Sequence, residues 1–477
     1  MDIMIPEAFI ERIKQQSYID SDELLRALSE HSASSIRINR AKWDHNPLDS
    51  LPVPWCSDGF FLDSRPSFTL DPLFHAGCFY PQESSGMFLE EVFRQLKFDR
   101  EDIKILDLCG APGGKSAHLS SLLGTGGLLV SNEVIKTRAL ILAENLTKWG
   151  LSNVMVTQSD PSSFGNLPGF FDLVLADAPC SGEGMFRDKI AANEWSRENA
   201  VLCSNRQKRI LMDVWPAIKE NGILIYSTCT FNPAENEENI KWLTEKTGAE
   251  TIRLNISGFK GITEISHRGI YGYGFYPGKI RGEGFFISVL RKKEKLRDKA
   301  VSIKKDSSPK ISREEIKIAF HLIDTRAENL VRYHDELISL PCNYNDYQVI
   351  SGVLKIVKSG TRLLKIKAIA RTQNFTPQKI LPHQIVPLHD IALSVHCRKD
   401  IYPAIDLSLN DAQVYLSRGQ FSSGSAQKGW NIVRYKGVNL GFINNIGSRI
   451  NNYYPMEWRI RLDPRRHRVE KIIDWYP

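Results

Sequence analysis

Residues 103–123 read IKILDLCGAPGGKSAHLSSLL, and this stretch decides the fold. A short apolar run, IKILDLC, enters a turn built on Gly110, Pro112, Gly113 and Gly114, and the helical stretch KSAHLSSLL follows. A strand that hands over to a helix through glycines brings backbone N–H groups and a helix start against a ligand. The turn is not a phosphate-binding P-loop, because Cys109 stands where the first glycine of G-x-x-x-x-G-K-[ST] belongs. The dinucleotide fingerprint G-x-G-x-x-G is not met either.

Working outward, the same alternation continues. GLLVSNEV (127–134) predicts a second strand, TRALILAENLTKWG (137–150) a helix stopped by Gly150, and NVMVTQSD (153–160) a third strand. FDLVLADAP (171–179) predicts a fourth strand, RQKRILMDVWPAIKENG (206–222) a helix stopped by Gly222, ILIYSTC (223–229) a fifth strand and GFFISVLR (284–291) a late one. Strands alternating with helices predict an α/β, mostly parallel, doubly wound sheet that binds ligands at the carboxyl ends of its strands. Upstream, IPEAFIERIKQQ and SDELLRALSEH predict helices, while SIRINRAK (35–42) and WCSDGFFLD (55–63) predict strands. Downstream, RKKEKLRDKAVSIKKDSSPK (291–310) has the composition of a linker, and short strands with glycine turns follow about residue 400. The expected domains are therefore an N-terminal α+β region (1–100), a core (101–292), a basic linker (293–312), an intermediate α+β block (313–397) and a β-rich module (398–477).

Bulk properties narrow the class. The chain has 477 residues, 42% of them hydrophobic and 25% charged, with a formal net charge of +7. No apolar run is long enough to span a bilayer, and no basic start followed by an apolar stretch marks secretion, so a cytoplasmic protein is expected. The modest positive excess permits a polyanionic partner without naming one. Eight scattered cysteines include no C-x-x-C pair, so no metal site is expected.

Acidic residues close successive strands: Glu133 the second, Asp160 the third and Asp177 the fourth. Each has a plain role as a turn or cap residue. Three carboxylates around one crevice favour an adenosine-type ligand, with Glu133 at the ribose hydroxyls. Two cysteines end the next strands, Cys180 in DAPCSGEG (177–184) and Cys229 in YSTCTFNP (226–233). Adjacent strands aim both thiols into that crevice. Attack of a thiolate on C6 of a pyrimidine makes its unreactive C5 nucleophilic, Asp177 is placed to assist at N3, and the target base must leave its stack.

These motifs resemble the Nol/Nop/Sun family of RNA cytosine-C5 methyltransferases over about residues 1–292. The resemblance rests on CGAPGGK (109–115), DAPCSGEG (177–184) and STCT (227–230), with SIRINRAK and FYPQESSGM (79–87) ahead of them. It implies a Rossmann-like methyltransferase sheet in which Cys109, Gly110, Ala111, Pro112, Gly113, Gly114, Lys115, Glu133, Asp160 and Asp177 bind S-adenosylmethionine. It further implies that Cys229 is the nucleophile and that Cys180 helps release the product. PVPWCSDGFF (52–61), GWNIVRYKGVNLGF (429–442) and NNYYPMEWRIRL (451–462) resemble the family's bacterial small-subunit ribosomal RNA enzymes, whose last domain is a PUA-like RNA-binding module. The implied partner is ribosomal RNA, alone or within a ribosomal subunit, bound by a monomer. Transfer RNA methylation and a non-catalytic assembly role are the alternatives. Arg418, Lys428, Arg434, Lys436 and Arg449 are candidate phosphate contacts and Trp430 and Tyr435 candidate stacking rings. Residues beyond about 311 are expected to serve RNA affinity and to be dispensable for the cofactor.

Overall fold

The computed structural model describes residues 5–98, 102–124, 126–267, 269–294, 311–326, 329–366, 385–419, 425–462 and 471–476. Apart from its ends, the stretch read as a linker lies outside them.

Two amphipathic helices open the chain, α1 (Glu7–Lys14) and α2 (Ser21–Leu28), the second capped by Asp20, whose side chain accepts the Glu23 amide. An antiparallel sheet follows, with β1 (Ser34–Ile38), β2 (Ser50–Pro52), β3 (Gly59–Leu62) and β4 (Phe79–Pro81) in the order β2-β3-β1-β4. The strand expected at 55–63 is shorter, because Cys56 and Gly59 donate back to Val53 and Cys56 carbonyls and fold residues 53–59 into turns. Helices α3 (Pro72–His75) and α4 (Leu89–Leu96) complete this region.

The core begins with β5 (Lys104–Asp107), α5 (Gly114–Leu122), β6 (Leu128–Asn132), α6 (Lys136–Trp149) and β7 (Val154–Thr157). It continues through β8 (Phe171–Asp177), α7 (Lys189–Glu194), α8 (Arg197–Val214), β9 (Ile218–Thr228), α9 (Glu237–Thr247), β10 (Glu250–Thr251), β11 (Ile262–His267), β12 (Ile270–Phe275) and β13 (Phe285–Arg291). The parallel strands run β9-β8-β5-β6-β7, so the order reverses beside β5, between it and β8. Successive residues face opposite sides. Ile105, Leu129, Val156, Leu175 and Ile225 pack with α5 and α6 residues, while Leu106, Val130, Met155, Val174 and Leu224 pack with α8 and α9 residues. This is a doubly wound sheet with helices on both faces.

Three differences from the sequence reading have local causes. The helix expected at 206–222 starts at Arg197 and ends at Val214; Pro216 lacks an N–H to continue it, and Gly222 lies within β9. The hairpin β11–β12 carries no clear signal in sequence, and with β13 it extends the sheet antiparallel to β9. Finally, the far edge is closed from the C-terminal half.

That half contains α10 (Arg313–Leu322), β14 (Leu330–Tyr333), β15 (Glu336–Ser339), α11 (Tyr344–Val353), β16 (Ile356–Ser359), β17 (Thr361–Ile366), β18 (Ile385–Pro387) and α12 (His389–Leu393). β16 pairs antiparallel with β7, while β14-β15-β17-β18 form a separate sheet. Ile350 and Leu354, at the end of α11, are buried in the core cluster under α8, and Lys104 pairs with Asp346 at 2.7 Å. The last module has β19 (Ala404–Asp406), α13 (Leu409–Leu416), β20 (Gly429–Tyr435), β21 (Val438–Asn445) and β22 (Ile450–Asn452), with the sheet ordered β19-β20-β21-β22. It packs on the N-terminal sheet through Tyr415, Tyr454 and Trp475. Among the described residues no helix is long and apolar enough to cross a membrane.

Candidate active site at the reversal of strand order

The loop between β5 and α5 is held from several sides. Gly110 donates to the Asn132 carbonyl (2.8 Å), Arg138 reaches the Ala111 carbonyl (3.0 Å) and Asn145 the Pro112 carbonyl (2.8 Å). A Cβ at Gly110 would stand 2.2 Å from Ser131 Oγ, and Gly113 has φ +124°, so both positions require glycine. Beneath the loop, Ser116 donates to Asp107 (2.6 Å), whose carboxyl pKa burial pushes up to about 7.

The predicted acidic residues take different stations. Glu133 is buried at the end of β6, accepts the Ile135 amide (2.9 Å) and pairs with Arg138 (3.4 Å). Asp160 caps the short helical turn 161–166 by accepting both the amide and the hydroxyl of Ser162, which lowers its pKa. Asp177 ends β8, accepts Ser227 Oγ on Oδ1 (2.7 Å) and pairs with Lys115 Nζ on Oδ2 (2.9 Å). Burial works against the Lys115 ammonium, yet Asp177, Cys229 and Asp107 outweigh it and raise its pKa. Lys115 thus faces Asp177 and the thiol loops as well as the glycine turn.

Cys180 and Cys229 meet, with their sulfurs 3.0 Å apart and the Cys229 amide 3.2 Å from Cys180 Sγ. The neighbouring Cys229 side chain, followed by burial, raises the Cys180 pKa well above the thiol range. Helix α9 starts only at Glu237, so its N-terminus is not at Cys229. Two buried glutamates hold the loops. Glu235, buried, accepts the Ser181 amide (3.0 Å) and Gln207 (2.9 Å), tying the Cys229 loop to the Cys180 loop. Glu183, also buried, returns the tie by accepting the Phe231 amide (3.2 Å) and Arg12 (2.6 Å). Arg12 and Gln16, from the first helix and the residues after it, also donate to the Phe231 carbonyl. Sequence reading named none of these four as functional; the only local signal is Glu183 inside the DAPCSGEG motif and Glu235 two residues after YSTCTFNP.

In the last module Lys428, Lys436 and Arg449 are exposed. Arg434 is engaged by Asn439 (2.9 Å) and Arg418 by the Tyr454 carbonyl. Tyr435 is buried in the core beneath β1 and β20 residues and offers no stacking face, while Trp430 lies edge-on to Tyr453.

Comparisons with known proteins find related methyltransferases. Residues 94–291 match the family model of the 16S rRNA methyltransferases RsmB/F, residues 5–84 that of the N-terminal domain of 16S rRNA methyltransferase RsmF, and residues 402–460 that of the RsmF PUA domain. The chain is 34% identical over 312 residues to ribosomal RNA small subunit methyltransferase F of Aliivibrio fischeri; the match covers 61% of this chain and 65%, under two thirds, of that protein. With the protein of the same name from Aliivibrio salmonicida it shares 28% identity over 488 residues, 96% of this chain and 98% of the other. The crystal structure of a methyltransferase homologue from Pyrococcus horikoshii superposes with a TM-score of 0.51 at 27% identity, covering 61% of this chain and 96% of that one. The chain is thus similar to the RsmB/F methyltransferases over residues 94–291 and to the N-terminal and PUA domains of RsmF on either side.

Proposed function

We propose that this protein methylates C5 of a cytosine in small-subunit ribosomal RNA, with S-adenosylmethionine as donor and Cys229 as covalent nucleophile. The observation that carries the reading is the pair of sulfurs 3.0 Å apart beside the Lys115–Asp177 pair, at the strand ends where the sheet order reverses. The residues fit the donor: the rigid glycine turn 109–115 offers backbone groups, Glu133 a buried carboxylate for the ribose, Asp160 a carboxylate for the adenine, and Asp177 borders the reacting end. When bound there, the donor supplies an electrophilic methyl group.

Cys229 Sγ adds to C6 of the flipped base and the C5–C6 π electrons move into the ring. As negative charge builds on the ring, Lys115 Nζ, 2.9 Å from Oδ2, passes a proton to the Asp177 carboxylate, which relays it to N3. C5 then carries the methyl group and one hydrogen. A base must take that hydrogen as a proton; the electron pair of the C5–H bond restores the C5–C6 double bond and expels the Cys229 thiolate, and N3 returns its proton through Asp177 to Lys115. Cys180 stands beside the bond to be broken, its sulfur 3.0 Å from Cys229 Sγ, where it assists release of the product.

Bisulfite sequencing of small-subunit ribosomal RNA, and of transfer RNA, from cells lacking the protein should reveal one lost methylation in the former. Restoring Cys229→Ala should not return it. Cys180→Ala should accumulate a protein–RNA adduct that survives denaturation. Normal methylation by Cys229→Ala would refute the proposal.

A further inference from the structure

Away from the crevice, three residues from separate segments converge beneath the N-terminal sheet. Cys56 lies in the turn before β3, Glu90 in the first turn of α4, and His118 in the middle of α5, the helix that leaves the glycine loop. Cys56 Sγ is 3.1 Å from Glu90 Oε2 and 4.0 Å from His118 Nε2, and these latter two atoms are 3.1 Å apart. Cys56 and His118 are 4% and 1% exposed. We propose that these three side chains bind one zinc-class divalent cation that fastens the N-terminal region to the helix behind the cofactor loop.

The donor geometry supports this. A tetrahedral zinc ion with bonds of about 2.3 Å to sulfur and about 2.05 Å to nitrogen and oxygen holds its donors about 3.3–3.6 Å apart. The three observed separations depart from that by about 0.5 Å or less. The carboxylate is already oriented: the Ser57 amide holds Glu90 Oε1 at 2.9 Å, leaving Oε2 as the single oxygen presented to the site.

Charge and protonation agree. A ligating imidazole must be neutral, and a ligating thiol and carboxyl must be ionised. In the ion-free site Cys56 Sγ donates to Glu90 Oε2. Binding displaces the thiol proton to water and moves the imidazole proton from Nε2 to Nδ1, which no other group among the described residues engages. Thiolate and carboxylate then neutralise the dication. A mixed sulfur, nitrogen and oxygen set favours zinc over calcium or magnesium, which take oxygen donors. This proposal does not depend on the function proposed above.

The test uses the full chain and cobalt(II) as a spectroscopic stand-in for zinc(II). The wild type should take up about one equivalent of cobalt with a thiolate-to-metal absorption band, and zinc should displace it. Cys56→Ser, Glu90→Gln and His118→Gln, each checked for folding by circular dichroism, should each weaken uptake more than about tenfold. The Cys180→Ser/Cys229→Ser double variant should retain the band. Zinc should raise the Tm of the wild type and leave that of Cys56→Ser unchanged. Absence of uptake by the wild type would overturn the proposal. So would a band that survives Cys56→Ser and vanishes in the double variant, which would assign the ion to the crevice thiols.

Discussion

Glu235 and Glu183 hold the two thiol loops in register by crossed hydrogen bonds, each to an amide of the other loop. Their value is positional: shifting a reacting group by about 1 Å can cost about a hundredfold in rate. Glu235→Gln puts an amide where both oxygens now accept, so single-turnover methyl transfer should fall about tenfold to a hundredfold. Titration with S-adenosylhomocysteine should show unchanged affinity, because Glu235 does not border the 109–115 turn. At this scale the sequence is most informative where chemistry is contiguous. Cys180, Cys229, Asp177 and the glycine turn stand out because each motif is a short unbroken string. The roles of Glu235, Glu183 and Arg12 are hidden because their partners lie on other loops. The convergence of Cys56, Glu90 and His118 is hidden for the same reason, since no fixed spacing links them. Tyr435 misleads in the opposite way: an aromatic residue in a basic strand reads as a stacking surface, but the alternation of β20 turns it inward.

Elements are legible where hydrophobic period and punctuation coincide. Gly150 is such a stop: it ends α6 with φ +85° and donates to the Leu146 carbonyl. A Cβ there would lie 2.2 Å from the Leu393 carbonyl oxygen and 2.7 Å from Lys42 Nζ. Gly150→Ala should therefore lower stability by more than about 1 kcal/mol, read as a lower denaturant midpoint. Gly222 reads as the same kind of stop and is not, because Pro216 has already ended the helix. The hairpin β11–β12 escapes sequence reading because glycines interrupt IYGYGF, and its pairing depends on β13 and the edge of β9. The five parallel strands need no such context, since each is buried on both faces and reads as a continuous apolar run.

At the scale of the whole molecule, the C-terminal half is part of the catalytic core. Truncation near residue 311 removes β16 from the edge of β7, the Asp346 partner of Lys104, and Ile350 and Leu354 from the core. The truncated chain should melt well below the full one in differential scanning calorimetry, in addition to losing RNA affinity, which revises the expectation that cofactor binding is independent of these blocks. The seam between the PUA module and the N-terminal region predicts a pH response. Burial lowers the pKa of both His75 and His389 to about 3, so from about pH 6.5 downward the unfolded chain takes up protons that the folded one refuses, and stability falls. Asp71 in the same seam, raised to about 7 by burial, acts oppositely between about pH 4 and pH 7, because the folded form keeps its proton there. In the core, His118 and Asp107 oppose each other in the same way. Each such histidine contributes about 1.4 kcal/mol per pH unit between about pH 6.5 and pH 4. His389→Phe removes one of these contributions, so acid should lower the Tm of the variant less steeply than that of the parent in that window; an unchanged slope would contradict the assignment.

The pairing of β16 with β7 also bears on how the chain is made. During synthesis β7 emerges with one side of its backbone ladder open, and its partner is not translated until Ile356–Ser359. Until then the nascent sheet exposes an apolar edge able to pair with other chains. Slowed or interrupted translation between these two strands should therefore divert the product toward aggregation.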